Sequence, residues 1–187
     1  MIRLKNILLV IFLAAANLSF AQGNPVRPAG GDEELLDWSG TRKLTWKDYK
    51  ASPDPESDAA ASTTSYLAIE YNITSSSFGF KIQSRFSKTR SWGLHKTDYI
   101  LSHEQGHFDI AEIFARKLNK KMSEYRFDKK TYQKDLNKIY HDILEEKEKM
   151  QNDYDKETNH SIRKKEQAEW LIKIPKMLEE YADYADY

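Results

Sequence analysis

Apolar and polar residues alternate from Phe78 to Phe86, so that a large apolar side chain occupies most second positions of this segment. Successive side chains of a β-strand point to opposite faces, and the pattern therefore predicts a strand with one buried face. The segment from Ser62 to Ile73 is rich in β-branched and aromatic residues and predicts a second strand. Between them lies a polar stretch from Thr74 to Ser77, with Gly79 just beyond, which predicts the turn of a hairpin.

The apolar period lengthens after this predicted hairpin and becomes helical. One stripe of apolar residues at helical spacing runs from Tyr99 to Met122, and either Thr97 or Asp98 can cap its N-terminus. The sequence therefore predicts a long helix. His103 and His107 lie on its inward stripe.

Two further helices and one short strand complete the predicted fold. Helical spacing returns from about Tyr132 to Asp155 and again from about Ile162 into the 170s, where Pro175 is expected to kink or interrupt the third helix. A short strand is predicted around residues 44–46. Strands first and helices afterwards indicate an α+β domain, in which a small N-terminal antiparallel β-sheet is followed by three α-helices.

The first residues of the chain have the pattern of an export signal. Basic residues precede an apolar run from Ile7 to Ala16, and Ser19 and Ala21 are small residues that suit a signal-peptidase site. Because the run is too short to span a bilayer comfortably, we expect residues 1–21 to be a cleaved signal peptide. The protein is then exported, either periplasmic or secreted, with no stable membrane insertion after cleavage.

Composition narrows the class of protein further. Residues 22–36 are rich in proline and glycine and predict a flexible tether, which leaves residues 37–187 as a single domain. The chain has 29 basic and 29 acidic residues, so it lacks the basic excess that favours nucleic-acid binding. It has no cysteine, which excludes both disulfide bonds and a lipid anchor on an N-terminal cysteine.

The candidate chemistry lies in the first predicted helix, where residues 103–107 read HEQGH. An α-helix turns by about 100° per residue, so His103 and His107 project from nearly the same face and can bind one ion. Glu104 can lie beside that ion without binding it and take a proton from a water that the ion activates. Glycine inside a helix costs roughly 1 kcal/mol relative to alanine, and Gly106 is explained if neighbouring backbone or substrate needs the room. The pentapeptide is the core of a zinc hydrolase site.

A catalytic zinc usually has three protein ligands and one open position, so a third ligand must come from another segment. The extended metzincin motif requires glycine and histidine at two later positions, which here hold Ile110 and Ile113. A thermolysin-like glutamate could come from the second predicted helix. Its candidates lie in a charged run that is expected to face solvent, and they are Glu145, Glu146 and Glu148.

The junction between the second and third predicted helices offers better candidates. Residues 154–161 gather a histidine, two carboxylates and a phenol where the chain turns. We predict His160 as the third ligand, because zinc sites with three histidines and an open position are well established. Asp155 and Glu157 remain substitutes. Tyr154 could donate a hydrogen bond to the oxyanion, and a role in the core is an equal alternative.

The chain resembles a family of bacterial secreted proteins that are classed as a domain of unknown function and regarded as zinc-dependent proteases of zincin type. The resemblance rests on residues 103–109 and 154–160, with residues 44–46 as a weaker match, and it covers most of the mature chain. Family members often look like they have glycine after the last histidine, where this chain has Ser161. The resemblance implies a peptidase, an assignment that is itself a prediction for the family.

The sequence therefore supports a secreted zinc metallopeptidase that acts on a peptide or protein substrate. Zn²⁺ held by His103, His107 and His160 would activate a water, and Glu104 would accept its proton and return it to the leaving amine. The strand from Phe78 to Phe86 could pair with an extended substrate if it lies at a sheet edge. The alternative is a non-catalytic envelope protein with a structural or vestigial metal site and a partner-binding helical surface. Hydrolysis of cell-wall amide bonds would use the same ligands.

Overall fold

A computed structural model of the protein describes residues 9–10, 34–74 and 78–187. Within these residues the chain forms strands near the N-terminus and then three long helices, which confirms the predicted α+β fold. The strands are β1 (Leu9–Val10), β2 (Leu35–Asp37), β3 (Ala61–Ser62), β4 (Ser65–Ile73), β5 (Phe78–Ser87) and β6 (Trp92–Gly93). The helices are α1 (Asp98–Glu124), α2 (Tyr132–Thr158) and α3 (Lys164–Glu180), with short 3₁₀ helices at Trp46–Asp48 and Ala182–Tyr184.

The predicted hairpin is formed by β4 and β5, which pair antiparallel along their whole lengths, from Ser65 opposite Phe86 to Ile73 opposite Phe78. Residues 75–77, which belong to the predicted turn, lie outside the described residues. The larger sheet has the strand order β1-β4-β5-β2, so β5 has neighbours on both sides. A second sheet consists of β3 and β6. The condition for pairing a substrate with the strand from Phe78 to Phe86, that it lies at a sheet edge, is therefore not met where β2 pairs with β5 at Arg85, Phe86 and Ser87.

Helix α1 is the central element of the domain, because it packs against β4, β5, α2 and α3. Thr97 caps its N-terminus by accepting a hydrogen bond from the backbone N–H of Ile100. Its inward stripe joins the apolar faces of the hairpin and of the other two helices in the main core. Residues of α1 in this core are Ile110, Ile113, Phe114, Ala115, Leu118 and Met122.

A second, smaller core cluster lies where the 3₁₀ helix at Trp46–Asp48 meets β5 and α1. It consists of Leu44, Tyr49, Phe86 and Phe108. The strand predicted around residues 44–46 is wrong, because the Asp48 carboxylate accepts hydrogen bonds from the backbone N–H and the hydroxyl of Thr45. These local side-chain bonds compete with strand pairing and start a helical turn instead.

Other boundaries also differ from the expectation. α3 begins at Lys164 and continues through Pro175 to Glu180, so the proline does not end it. The predicted signal peptide lies outside the described residues, apart from β1, and the last two residues of the predicted tether belong to β2. Within the described residues, none of the helices combines the length and the apolar character that crossing a membrane requires.

Candidate metal centre

Two histidines of α1 face each other one helical turn apart, as the sequence predicts. The side chain of His103 is almost fully buried and that of His107 is 14% exposed. Their Nε2 atoms are 3.2 Å apart, and their rings are perpendicular. The Nε2 atoms of the two histidines are thus directed at a common point.

Two glutamines form hydrogen bonds with the other ring nitrogen, Nδ1, of each histidine. The Oε1 atom of Gln167 is 2.8 Å from Nδ1 of His103, and that of Gln151 is 2.6 Å from Nδ1 of His107. The amide nitrogens of these glutamines donate elsewhere, to the Tyr154 hydroxyl and to the backbone carbonyl of His107. Since the glutamine oxygens can only accept, each Nδ1 must carry the proton and donate. In the neutral imidazoles this leaves each Nε2 with a free lone pair, as in a metal ligand whose other nitrogen is held by a neighbour.

Asp155, from the last turns of α2, completes the group. Its Oδ1 atom is 3.1 Å from Nε2 of His103 and 3.1 Å from Nε2 of His107. In the described part of the chain, these residues form the one group of His, Cys, Asp or Glu side chains whose ligand atoms lie within 4.8 Å of one another.

The triangle formed by these three atoms has the size that zinc requires. Zinc is bound tetrahedrally at about 2.0–2.1 Å from nitrogen and oxygen, so neighbouring ligand atoms are roughly 3.3 Å apart. The observed separations of 3.1, 3.1 and 3.2 Å lie close to that value. One face of a coordination tetrahedron is therefore already present, and its donor types suit zinc.

The short distance between His107 and Asp155 also determines how these two residues are protonated in the protein without an ion. Burial opposes protonation of His107, but the hydrogen bond and charge of Asp155, with smaller contributions from Glu104 and Gln151, raise its pKa to about 9. Burial also disfavours the charged form of Asp155. Hydrogen bonds from His103 and His107 outweigh it and hold the pKa of this carboxyl well below its usual range.

His160, the third ligand predicted from sequence, lies beside the group. Its Nδ1 atom is 3.3 Å from Oδ1 of Asp155, and its side chain is 63% exposed. It follows the end of α2 in a turn where Asn159, His160 and Ser161 all have positive φ, at 49°, 51° and 72°. The Tyr99 hydroxyl fixes this turn by donating to the backbone carbonyl of Ser161 at 2.7 Å. The left-handed φ of Ser161 also gives a physical reason for glycine at this position.

The structure thus brings Asp155, which the sequence offered only as a substitute third ligand, into contact with both histidines. His160 contacts Asp155 and lies outside the group of potential ligands. Glu157 points away, because its carboxylate accepts a hydrogen bond from Trp170 Nε1 at 2.7 Å. The glutamates of the charged run on α2 also lie elsewhere, with Glu146 close to Lys117 and Glu148 close to Lys147.

Tyr154 lies beneath the histidine pair. Its ring stacks on that of His103 at a centroid distance of 4.4 Å, and the side chain is fully buried. Its hydroxyl donates to the backbone carbonyl of His103 and accepts from Gln167. These contacts give Tyr154 a role in positioning His103, and they offer no support for the predicted oxyanion donor. They also explain Gly106, since a Cβ there would lie 2.6 Å from the Tyr154 hydroxyl oxygen.

Glu104 is 4% exposed and lies outside the group of potential ligands, as the sequence predicts. Its Oε2 atom accepts a hydrogen bond from the Thr63 hydroxyl at 2.6 Å. The next turn of α1 anchors the segment that precedes the 3₁₀ helix. Gln105 Oε1 accepts from the backbone N–H of Leu44, and Asp109 Oδ1 accepts from Trp38 Nε1, both at 2.7 Å.

Three residues that contact the two histidines or Glu104 were not predicted from the sequence as site residues, namely Thr63, Gln151 and Gln167. Gln167 had a usable signal, because a glutamine on an apolar helical stripe needs a buried partner. Gln151 lies one turn before Asp155 on α2, but this spacing is too common to identify a site. Thr63 has no local signal.

Comparison with known proteins identifies the family. No curated protein and no solved structure matches the chain. Residues 19–161 match a family model described as a bacterial protein of unknown function, DUF922. The match includes the histidine pair, Asp155 and the left-handed turn. The chain therefore belongs to the DUF922 family of bacterial proteins.

Proposed function

We propose that the protein is an exported zinc-dependent peptidase whose zinc is held by His103, His107 and Asp155. The observation that carries the proposal is the triangle of 3.1 to 3.2 Å between their donor atoms. Gln151 and Gln167 support it, because they direct the lone pairs of both histidines towards one point. When bound, zinc would supply Lewis acidity and lower the pKa of a coordinated water to about 7.

Glu104 is the general base of the proposal. It follows His103 directly on α1, and its negative charge contributes to raising the pKa of His107. Its Oε1 atom has no partner among the described residues, while Oε2 is held by Thr63. Glu104 would take a proton from the attacking water and return it to the leaving amine.

An extended peptide suits the surroundings of Glu104. The residue that bonds Glu104, Thr63, directly follows β3, and among the described strands β3 has a single neighbour, β6. An extended chain could pair with the other edge of β3, beside the proposed general base. We therefore propose β3, and not β5, as the strand that pairs with the substrate. The export signal expected in residues 1–21 would place the enzyme in the periplasm or outside the cell.

Zinc content and hydrolysis of an unstructured protein test the proposal. The mature protein, purified without chelator, is expected to hold one zinc per chain and to cleave fluorescein-labelled casein. Glu104→Gln should keep the zinc and lower turnover by roughly 10²–10⁴-fold, the usual contribution of a general base. Glu124→Gln, at the far end of α1, is the matched control and should behave as wild type. Wild-type cleavage by Glu104→Gln would refute the assigned base.

A second candidate function is favoured by the position of His160. Its Nδ1 atom lies 3.3 Å from Asp155 Oδ1, so a small rotation could bring it to the ion as a fourth protein donor. Structural zinc sites have four protein ligands, and such a site would make this a non-catalytic envelope protein. Cobalt-substituted protein separates the two functions. An open site binds acetohydroxamate with a change in the visible spectrum, whereas a closed site leaves the spectrum unchanged.

A further inference from the structure

The Glu104 carboxylate is held from outside its own helix. Thr63 Oγ1 lies 2.6 Å from Glu104 Oε2 and 2.9 Å from the Tyr49 hydroxyl oxygen. An ionised carboxylate can only accept, so the Thr63 hydroxyl must donate to it. The single hydroxyl proton of Thr63 is then used, and Tyr49 must donate to Thr63. The direction of both hydrogen bonds is therefore fixed.

Both donors are themselves held firmly. Tyr49 is 5% exposed in the second core cluster, where its ring contacts those of Trp46 and Phe86 at centroid distances of 4.9 and 5.1 Å. Burial raises the pKa of its phenol, and the charge of Glu104 raises it further, so Tyr49 keeps its proton. Thr63 lies between β3, which pairs with β6, and Thr64, whose backbone N–H donates to Ser91 Oγ.

We infer that Thr63, held by Tyr49, is a positioning residue that fixes the orientation of the Glu104 carboxylate and leaves Oε1 facing the attacking water. This inference rests on the proposed function, and it adds a residue that reaches the site from the strand side. A carboxylate on a flexible side chain loses rate when it can rotate, because a proton transfer needs the reacting atoms within hydrogen-bond reach. The hydrogen bond from Thr63 restricts that rotation.

Matched variants separate the hydroxyl from the rest of the side chain. Thr63→Val keeps the shape and removes the hydroxyl, and we expect kcat on fluorescein-labelled casein to fall roughly 10- to 100-fold with KM and zinc content unchanged. Thr63→Ser restores the hydroxyl and should recover kcat to within about threefold. Tyr49→Phe should lower kcat less than Thr63→Val. Thr64→Val is the control, because the Thr64 hydroxyl donates to the Arg90 carbonyl away from Glu104.

A crystal structure of Thr63→Val provides a readout that does not depend on activity. The inference predicts that the Glu104 carboxylate rotates away from the orientation that it has in the wild type. An unchanged carboxylate, or wild-type kcat in Thr63→Val, would overturn the inference. A wild-type protein that binds zinc and leaves casein intact would instead contradict the proposed function, and the orientation of Glu104 in the variant would still decide the inference.

Discussion

Helix α1 carries two buried polar groups of residues, and they differ in how donors and acceptors are matched. Beginning five residues after His107, Glu112 and Arg116 form an ion pair at 2.9 Å, with exposures of 1% and 8%. The second carboxylate oxygen of Glu112 accepts from the Tyr187 hydroxyl, and Arg116 donates to the carbonyl of Leu178. Every contact in this group joins a donor to an acceptor.

The candidate metal centre, formed by His103, His107 and Asp155, is arranged differently. Gln151 and Gln167 occupy both Nδ1 protons, so two imidazole lone pairs and the Asp155 carboxylate oxygen converge at distances near 3.1 Å. Three acceptors at this distance need a proton or a cation between them. Burial and charge therefore do not distinguish a functional site from a structural one along this helix. Convergence of lone pairs is the feature on which the proposed zinc site rests.

The largest effect is expected from a substitution that breaks the buried ion pair of Glu112 and Arg116. Arg116→Ala leaves Glu112 buried without its cation, and burial already raises the pKa of this carboxyl. We expect a loss of about 3–5 kcal/mol in the free energy of unfolding, as for other broken buried ion pairs. Urea denaturation measures this loss, and zinc stoichiometry should stay at the wild-type value. Loss of zinc from a variant that is still folded would show that the two groups are coupled.

The next effect combines stability and the metal. Gly106→Ala would add a methyl group 2.6 Å from the Tyr154 hydroxyl oxygen. The helix gains about 1 kcal/mol from alanine, but overpacking a buried contact typically costs about 1–3 kcal/mol. We therefore expect net destabilisation together with weaker zinc binding, because Tyr154 stacks on His103. A more stable protein with wild-type zinc affinity would contradict the packing described for Tyr154.

A third prediction sharpens the role of the glutamines. Gln167→Leu removes the acceptor for His103 Nδ1 and should weaken zinc binding by roughly 10- to 100-fold, as other losses of ligand-orienting partners do. Gln151→Leu should act similarly through His107. Gln133→Leu is the control, because Gln133 is exposed on α2 and, within residues 34–74 and 78–187, its side chain bonds the Tyr132 hydroxyl alone. Zinc titration against a competing chelator gives the affinities. If Gln167→Leu and Gln151→Leu bound zinc as tightly as the control, the glutamines would no longer support the metal assignment.

A fourth prediction is a pH dependence of the stability of the zinc-free protein. His107 has a pKa raised from 6.5 to about 9, so its contribution to stability is complete below pH 6.5 and is lost as the pH rises through about 9. Asp155 has a lowered pKa, so its contribution is present above pH 3.8 and is lost as the pH falls below that value. Thermal denaturation should show greatest stability between about pH 4 and 6.5.

Asp155→Asn tests this origin, because it removes the charge that raises the His107 pKa and should flatten the alkaline limb. Zinc affinity of the wild type should change in the opposite sense and increase with pH, since zinc must displace the proton on His107. A flat stability profile from pH 6 to 9 in the wild type would contradict the ion pair.

Local patterns predicted much of this structure. Alternation identified β5, helical spacing identified α1 with Thr97 as its cap, and the HEQGH segment placed both histidines on one face. These features depend on residues within a few positions of one another. The strand predicted around residues 44–46 failed because one side chain, Asp48, satisfies the backbone of Thr45.

The third donor could not be predicted from the sequence, because it depends on how α2 is rotated and shifted against α1. A rotation of α2 by a fraction of a turn decides whether Asp155 or a neighbour faces the histidines. Three left-handed residues then turn His160 to the outer side of Asp155, and no local pattern indicates that turn. Thr63 reaches Glu104 across 41 positions of sequence, which is again a tertiary relationship.

X-ray absorption spectroscopy of the zinc-loaded mature protein can identify the proposed ligands, because it reports the number and type of atoms bound to the ion. We expect two imidazole nitrogens, one carboxylate oxygen and one exchangeable oxygen at about 2.0–2.1 Å. The shell should lose the carboxylate in Asp155→Ala and keep its donors in His160→Ala. A shell without the two imidazoles, or a folded wild-type protein that binds no zinc, would contradict the account.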